Sequence, residues 1–284
     1  MATLLDRLRG RRSRPDDRRR IWPDVDAEDL DGHADAIEAI YEGRLDGMTI
    51  KGVFTPSEAR AVVERLEQHR SSFVDHGSVE MFGTAIVGSE DDRADYHRDA
   101  PGMNPKLEAL FDGRFRSRIE EVLGRVGGGR PVDVPQDGAD RPYVPATVRV
   151  LPSGRGVIHG HTANEFCNVW PAYAHLRDIA RMWNSLSYFI VAQPPEDGGE
   201  LVLYDLDWDD TPEAILALPM GPERDALLER SASQGISPKA GDMVLFTGGR
   251  IWHRVAPVRG TVPRVTVGGF VALSAEGDRI YYWS

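Results

Sequence analysis

Two stretches of this sequence gather side chains able to do chemistry. One is Gly249-Arg250-Ile251-Trp252-His253-Arg254-Val255-Ala256-Pro257-Val258, followed by Pro263-Arg264-Val265-Thr266-Val267. The strand-like run Met243-Val244-Leu245-Phe246 precedes it, and Val265 to Val271 continues it. Pro257 and Gly260 supply turn chemistry between the two runs. A histidine therefore closes one strand region and an arginine opens the next. Neutral imidazole is a good ligand for a divalent transition metal. Guanidinium holds a carboxylate through two parallel hydrogen bonds. Thr266, two residues after Arg264, points to the same face of a strand and can add a hydroxyl to the same carboxylate. The other stretch is Val157-Ile158-His159-Gly160-His161-Thr162-Ala163-Asn164-Glu165-Phe166, with two histidines and a carboxylate in seven residues.

The elements that must position these residues can be read around them. Pro145 to Leu151 reads as a strand turned by Pro152-Ser153-Gly154, just before the histidine-rich stretch. Ser185 to Gln193 is a strong strand. Pro194 to Gly199 turns into another, Glu200 to Tyr204, and Pro238 to Asp242 is a tight turn delivering the strand before His253. Further upstream, Met48 to Phe54 opens the core. Thr55-Pro56-Ser57-Glu58 is a helix start, with Thr as cap, Pro at the first helical position and Glu at the third. Met81 to Gly88 reads as a strand. Asp91, Asp92, Asp95, Tyr96, His97, Arg98 and Asp99 read as a solvated polar loop rather than a metal site. Lys106 to Val126 has the apolar spacing of one amphipathic helix, ended by Gly127-Gly128-Gly129. That glycine run is a breaker, because no Lys-Ser/Thr follows to make it a phosphate loop. Asp205 to Ser237 is a long acidic insertion, read either as a lid over the site or as a surface excursion.

The whole chain sets the outer bounds. Its 284 residues suit one domain with extensions, and 41% hydrophobic content supports a sizeable core. A net charge of −11 argues against nucleic acid as a partner. No apolar run is long enough to span a bilayer, so no membrane association is expected. The single cysteine, Cys167, excludes an internal disulfide and fits a reducing cytoplasm; a buried small hydrophobe is its expected role. The expected division is a basic tail over residues 1–22, a helical extension over 23–47 and one catalytic domain over 48–284, with the insertion at 205–237. The arginines from Arg7 to Arg20 make the tail a solvated segment.

Taken together these stretches resemble the iron(II)/2-oxoglutarate oxygenases, and among them the prolyl-hydroxylase-like enzymes. The likeness rests on the short strand and capped helix at residues 48–58, on Gly198-Gly199-Glu200-Leu201, on Gly241-Asp242, and on His253 followed by Arg264. It implies a mainly β fold, a distorted double-stranded β-helix (jelly-roll, cupin-like) with helices packed on one sheet. It implies iron(II), 2-oxoglutarate as co-substrate and O2. His253 would then bind iron and Arg264 would grip the far carboxylate of 2-oxoglutarate, with Thr266 and Tyr188 as neighbours.

The family pattern on the earlier strand is His-x-Asp/Glu, and here this chain departs from it. Aligning the Pro152-Ser153-Gly154 turn places His161 at the first ligand, and the carboxylate position falls on Ala163. Three readings stay open. Glu165, four residues from His161, shares its face on a continuous strand and can complete the metal set with His161 and His253. Alternatively no carboxylate binds, as in the iron/2-oxoglutarate halogenases, where chloride takes the vacant position. Or His159 joins His161 and His253. The resemblance implies hydroxylation of an unactivated C–H of a small molecule, an amino acid or natural-product intermediate, with release of succinate and CO2. Halogenation is the alternative, and a non-catalytic protein on a decayed oxygenase scaffold is the reading from another class. Asp205, Asp207, Asp209 and Asp210 would suit an amine or guanidine on the substrate.

Overall fold

The chain's alternating strands close into two sheets facing each other. The computed structural model describes residues 20–88, 93–138 and 141–284, so Asp91, Asp92 and most of the basic tail lie outside the described residues. Eight core strands follow in order: β1 (Thr147–Leu151), β2 (Ile158–His161), β3 (Leu186–Gln193), β4 (Leu201–Asp207), β5 (Ser233–Ile236), β6 (Met243–Phe246), β7 (Ile251–Val255) and β8 (Arg264–Leu273). Odd and even strands do not separate cleanly; the chain instead crosses between sheets. The larger sheet runs β6-β3-β8-β1 at its centre, and the smaller runs β5-β4-β7-β2. All of these neighbours are antiparallel. This is a double-stranded β-helix, as the resemblance implied.

β8 is buried along its whole length because β1 and β3 flank it, sheet faces cover both its sides, and its sequence is correspondingly apolar on both faces. Its outward residues Val265, Val267 and Val271 belong to a large core shared with three helices, α1 (Pro56–Glu67), α2 (Ala94–Leu110) and α3 (Phe115–Val126). The helices thus cover one sheet. α1 begins with the capping box read from the sequence: the Glu58 N–H donates to Thr55 Oγ1 at 3.2 Å, and the Thr55 N–H donates to Glu58 Oε2 at 2.7 Å.

Several local expectations are corrected. The single helix over 106–126 is two, broken at Asp112-Gly113, where both residues take positive φ (55° and 72°). The polar stretch around His97 is the first turn of α2, and His97 is buried with Nδ1 3.1 Å from the Pro142 carbonyl. Glu80–Phe82 is a strand, but Ile86–Gly88 is a 3-10 turn. Arg20 and Trp22, assigned to the tail, are built into the folded domain. The Arg20 guanidinium pairs with Asp46 at 3.3 Å and Asp207 at 2.9 Å, and Trp22 packs on Phe246. Asp24–Asp26, in the expected helical extension, is a strand parallel to Gly47–Lys51 at the edge of the larger sheet. The 205–237 insertion returns as β5, paired to β4, and carries a helix, α5 (Pro222–Leu228), packed on β2. Among its aspartates, Asp205 and Asp207 are paired with Arg20, and Asp207 also with Arg250. Asp205 and Asp207 thus already have cationic partners within the protein, whereas Asp209 and Asp210 are exposed.

Candidate active site

His161 ends β2 and His253 lies in the middle of β7, and the two are opposite each other in the ladder. Directly opposed residues of an antiparallel pair share a face. Their ring centroids are 4.3 Å apart. The next pair in register is Val255 with Ile158, so three steps along β2 match two along β7. This extra residue is a bulge, and it turns His159 away from the face that His161 occupies. The spacing of two between His159 and His161 would otherwise have put both on one face. His159 instead points Nδ1 at Asp225 of α5, 2.8 Å away. His159 thus stands apart from the pair formed by His161 and His253.

Both remaining histidines are fixed in one tautomer. His161 Nδ1 lies 2.8 Å from the His159 carbonyl, and His253 Nδ1 lies 2.8 Å from the Ile251 carbonyl. A carbonyl only accepts, so each Nδ1 carries the proton and each Nε2 keeps its lone pair. Burial lowers the pKa of His161, and it lowers that of His253 well below the usual imidazole value, with the neighbouring His161 adding to the second shift. Phe246 meets the His253 ring edge-on at 4.9 Å and holds it in place.

β2 stops at His161, and the chain turns at once into a short helix, α4 (Asn164–Cys167). Two contacts enforce the turn. The Ala163 N–H donates to the Gly248 carbonyl at 2.8 Å, and Asn164 exchanges side-chain hydrogen bonds with Asn184. Glu165 therefore sits in the first turn of a helix and not on a continued strand. Its Oε2 accepts the Thr162 N–H at 3.2 Å, and its Oε1 accepts from Arg224 Nη1 of α5 at 2.7 Å. The premise that Glu165 lies on a continued strand with His161 is overturned, and both its oxygens have partners within the protein. Ala163 keeps the carboxylate position without a donor side chain. Among the described residues, no cluster of three or more His, Cys, Asp or Glu could hold a metal ion.

Arg264 and Thr266 face the interior together, as the spacing of two required; Arg264 Nη1 lies 3.4 Å from Thr266 Oγ1. Arg264 is buried, stacks over the Phe189 ring at 5.0 Å, and has its pKa pushed down to about 10 by burial and by Arg149. Arg149 of β1 is directly opposite Thr266, which puts it on the same inner face. Among the described residues it makes no hydrogen bond or ion pair, and burial lowers its pKa too. Two guanidinium groups thus share the barrel interior without a carboxylate. Two like charges on one face raise each other's cost, and an anion between them would offset it. A cavity of about 480 Å³, lined by Val191, Gly199, Lys239 and Arg264 among others, reaches Arg264; neither histidine lines it.

Tyr188 is not part of this interior. It lies opposite Gly269 and packs in the helix-side core, its hydroxyl donating to the Pro145 carbonyl at 2.7 Å. The inward residue is its neighbour Phe189. The sequence carried a phase signal, since Tyr188 shares its face with Leu186, Ile190 and Ala192 while Phe189 alternates with the polar Ser187 and Gln193. Arg149 also carried a signal, a lone charge between Val148 and Val150 in a strand. Cys167 is buried, with its thiol pKa raised by burial, in keeping with a packing role.

Two neutral imidazoles side by side, with Ala163 in place of a ligand carboxylate and Glu165 paired to Arg224, suit iron(II) with further positions open. The family model for the carrier-protein-independent halogenase WelO5 matches residues 20–284. The chain belongs to this family. It is an iron(II)- and 2-oxoglutarate-dependent enzyme that uses O2. Solved structures agree on the fold. An N-substituted L-amino acid dioxygenase from Burkholderia ambifaria AMMD superposes with a TM-score of 0.53 at 17% identity, over 87% of this chain and 91% of that one. The same enzyme in complex with alpha-ketoglutarate gives 0.52 at 17% identity, over 87% and 90%. The carbocyclase SnoK from nogalamycin biosynthesis gives 0.51 at 13%, over 88% of each chain. No curated protein matches the sequence. Among the described residues, no helix is long and apolar enough to cross a membrane.

Proposed function

We propose that this member of the WelO5 family is a halogenase that replaces a C–H of a free small molecule with a C–halogen bond. His161 and His253 hold the iron through Nε2. A halide occupies the position beside Ala163 where other oxygenases carry a ligand carboxylate. Arg264, with Thr266 and Arg149, holds the dianion 2-oxoglutarate. The overall change balances as R–H, chloride, 2-oxoglutarate, O2 and a proton giving R–Cl, succinate, CO2 and water. When bound, the iron and co-substrate supply the oxidising power that removes the substrate hydrogen. The protein's part is to orient the target C–H, exclude water and keep the halide position open.

The observation that carries this reading is Ala163 at the carboxylate position, with the nearest alternative carboxylate, Glu165, paired to Arg224. The family's printed description as carrier-protein-independent supports a free substrate, an amino acid or natural-product intermediate, over one tethered to a carrier protein. The test is an anaerobic titration with iron(II) and 2-oxoglutarate, following the visible charge-transfer band with and without chloride. A band that shifts with chloride supports the halogenase. A band indifferent to chloride, with only alcohol formed on adding oxygen, returns the protein to hydroxylation.

A further inference from the structure

Glu165 raises a question that the halogenase reading leaves open. Glu165 lies close enough to His161 to act on its charge, and a carboxylate there would compete with a halide for iron. Its Oε2 sits against the N–H of Thr162, the residue directly after His161. What holds it back is Arg224, whose side chain is 6% exposed. Arg224 is fixed independently of Glu165. Its Nε donates to the Leu218 carbonyl at 3.0 Å, Nη2 donates to the same oxygen, and Nη1 also points at the Gly160 carbonyl at 3.4 Å. Its guanidinium stacks over Trp252 at 5.2 Å.

The helix that carries Arg224 is locked on the histidine strand. Asp225 Oδ1 accepts the Gly160 N–H at 2.7 Å, and Oδ2 faces His159 Nδ1 at 2.8 Å. Arg254 of β7 lies 3.6 Å from Asp225 and 2.7 Å from Glu229. Gly160 admits Leu228 at close range, since a Cβ there would stand 2.2 Å from Leu228 Cδ1. The insertion is thus tied to both strands that bear the metal histidines.

We propose that Arg224 is a specificity-determining residue: by fixing the Glu165 carboxylate it keeps the position beside Ala163 for a halide. This rests on the halogenase reading and deepens it. Arg224 is a positioning residue, acting through Glu165. Freed of its partner, Glu165 is a third protein ligand and the site is a two-histidine, one-carboxylate set.

The experiment compares anaerobic iron(II) affinity, and the chloride response of the iron–2-oxoglutarate band, in wild type, Arg224→Gln, Glu165→Gln and the double variant. Arg224→Gln is expected to bind iron about tenfold more tightly without chloride and to lose the chloride response. Glu165→Gln alone keeps the wild-type affinity and response, and the double variant returns to them. A merely structural Arg224 would not be rescued by removing Glu165. Iron affinity lost in Glu165→Gln means the carboxylate already binds metal, and overturns the proposal even if Arg224→Gln does not fold. An Arg224→Gln protein that folds and keeps its chloride response overturns it as well. Absence of a chloride response in wild type overturns the halogenase reading itself, which separates the two failures.

Discussion

His161 and His253 are opposed across the β2–β7 ladder, their rings 4.3 Å apart and each Nδ1 donating to the carbonyl two residues before it. On the proposed reading, the geometry pre-sets the pair for a metal. Two like groups so close cannot both be protonated in a buried place, so burial and proximity together hold them neutral. This has a measurable consequence in acid. The unperturbed imidazole value is 6.5, and both folded values are lower. A folded value below the unfolded one means that the neutral pair adds stability above pH 6.5, and that this is lost as pH falls through the lowered values. Metal binding follows the same protons. Affinity for iron(II) or cobalt(II) is expected to change little between pH 7.5 and 6.5, and to fall on further acidification. A tenfold loss already by pH 6.5 would contradict neutral, pre-set ligands.

Ala163 is the second point of leverage. Ala163→Asp places a carboxylate two residues from His161, where the oxygenase pattern has one. Iron affinity is expected to rise about tenfold, with the chloride shift of the charge-transfer band abolished. If chloride still perturbs the band in this variant, the halide position lies elsewhere.

Arg149 and Arg264 share an anion on the proposed reading. Truncating either to Met removes charge-assisted hydrogen bonds worth about 1.5–3 kcal/mol, which is roughly a 10- to 150-fold loss of 2-oxoglutarate affinity. Titrating 2-oxoglutarate into the iron-loaded variants reads this directly. Thr266→Val, which removes only a hydroxyl, is expected to cost less than tenfold. Unchanged affinity in Arg149→Met would assign that guanidinium to the organic substrate instead.

Close packing of α5 on β2 predicts a coupled pair. Gly160→Ala is expected to destabilise the fold by about 1–3 kcal/mol, because the new methyl meets Leu228. Leu228→Ala leaves a cavity costing about 2–5 kcal/mol on its own. Chemical denaturation of both variants and of their combination should show less destabilisation in the double variant than the sum, since the methyl then enters the vacated space. Strict additivity would mean that the two positions do not press on each other.

That Arg264 and Thr266 share a face could be read from the sequence, because it depends on local order. Strand, turn and strand follow one another in a fixed sequence, and a spacing of two sets a face. The same logic failed wherever the backbone left the regular strand. A spacing of two suggested His159 as a partner of His161, and one bulged residue turned it toward Asp225. A spacing of four suggested Glu165 on the strand, and the chain had already become helix. In β3 the apolar face Leu186, Tyr188, Ile190 and Ala192 turns to the helix-side core, and pairing with β8 shows that the mixed face with Phe189 turns to Arg264.

The sequence by itself, through its resemblance to the oxygenases, determined the fold class and singled out His161, His253 and Arg264 as candidates, because the motifs that carry the resemblance are local strands and turns in a fixed order. It also determined the departure at Ala163, which is a plain substitution in a known pattern. Only the tertiary structure decided what becomes of the remaining charges. Arg149 meets Arg264 through pairing between strands more than a hundred residues apart in the chain. Arg224 reaches Glu165 from an insertion 59 residues later, and Arg20 reaches Asp207 across 187. Ion pairs of this kind carry no sequence period. They are set by where buried charges find partners once the barrel has closed, and that closure places Glu165 beside Arg224.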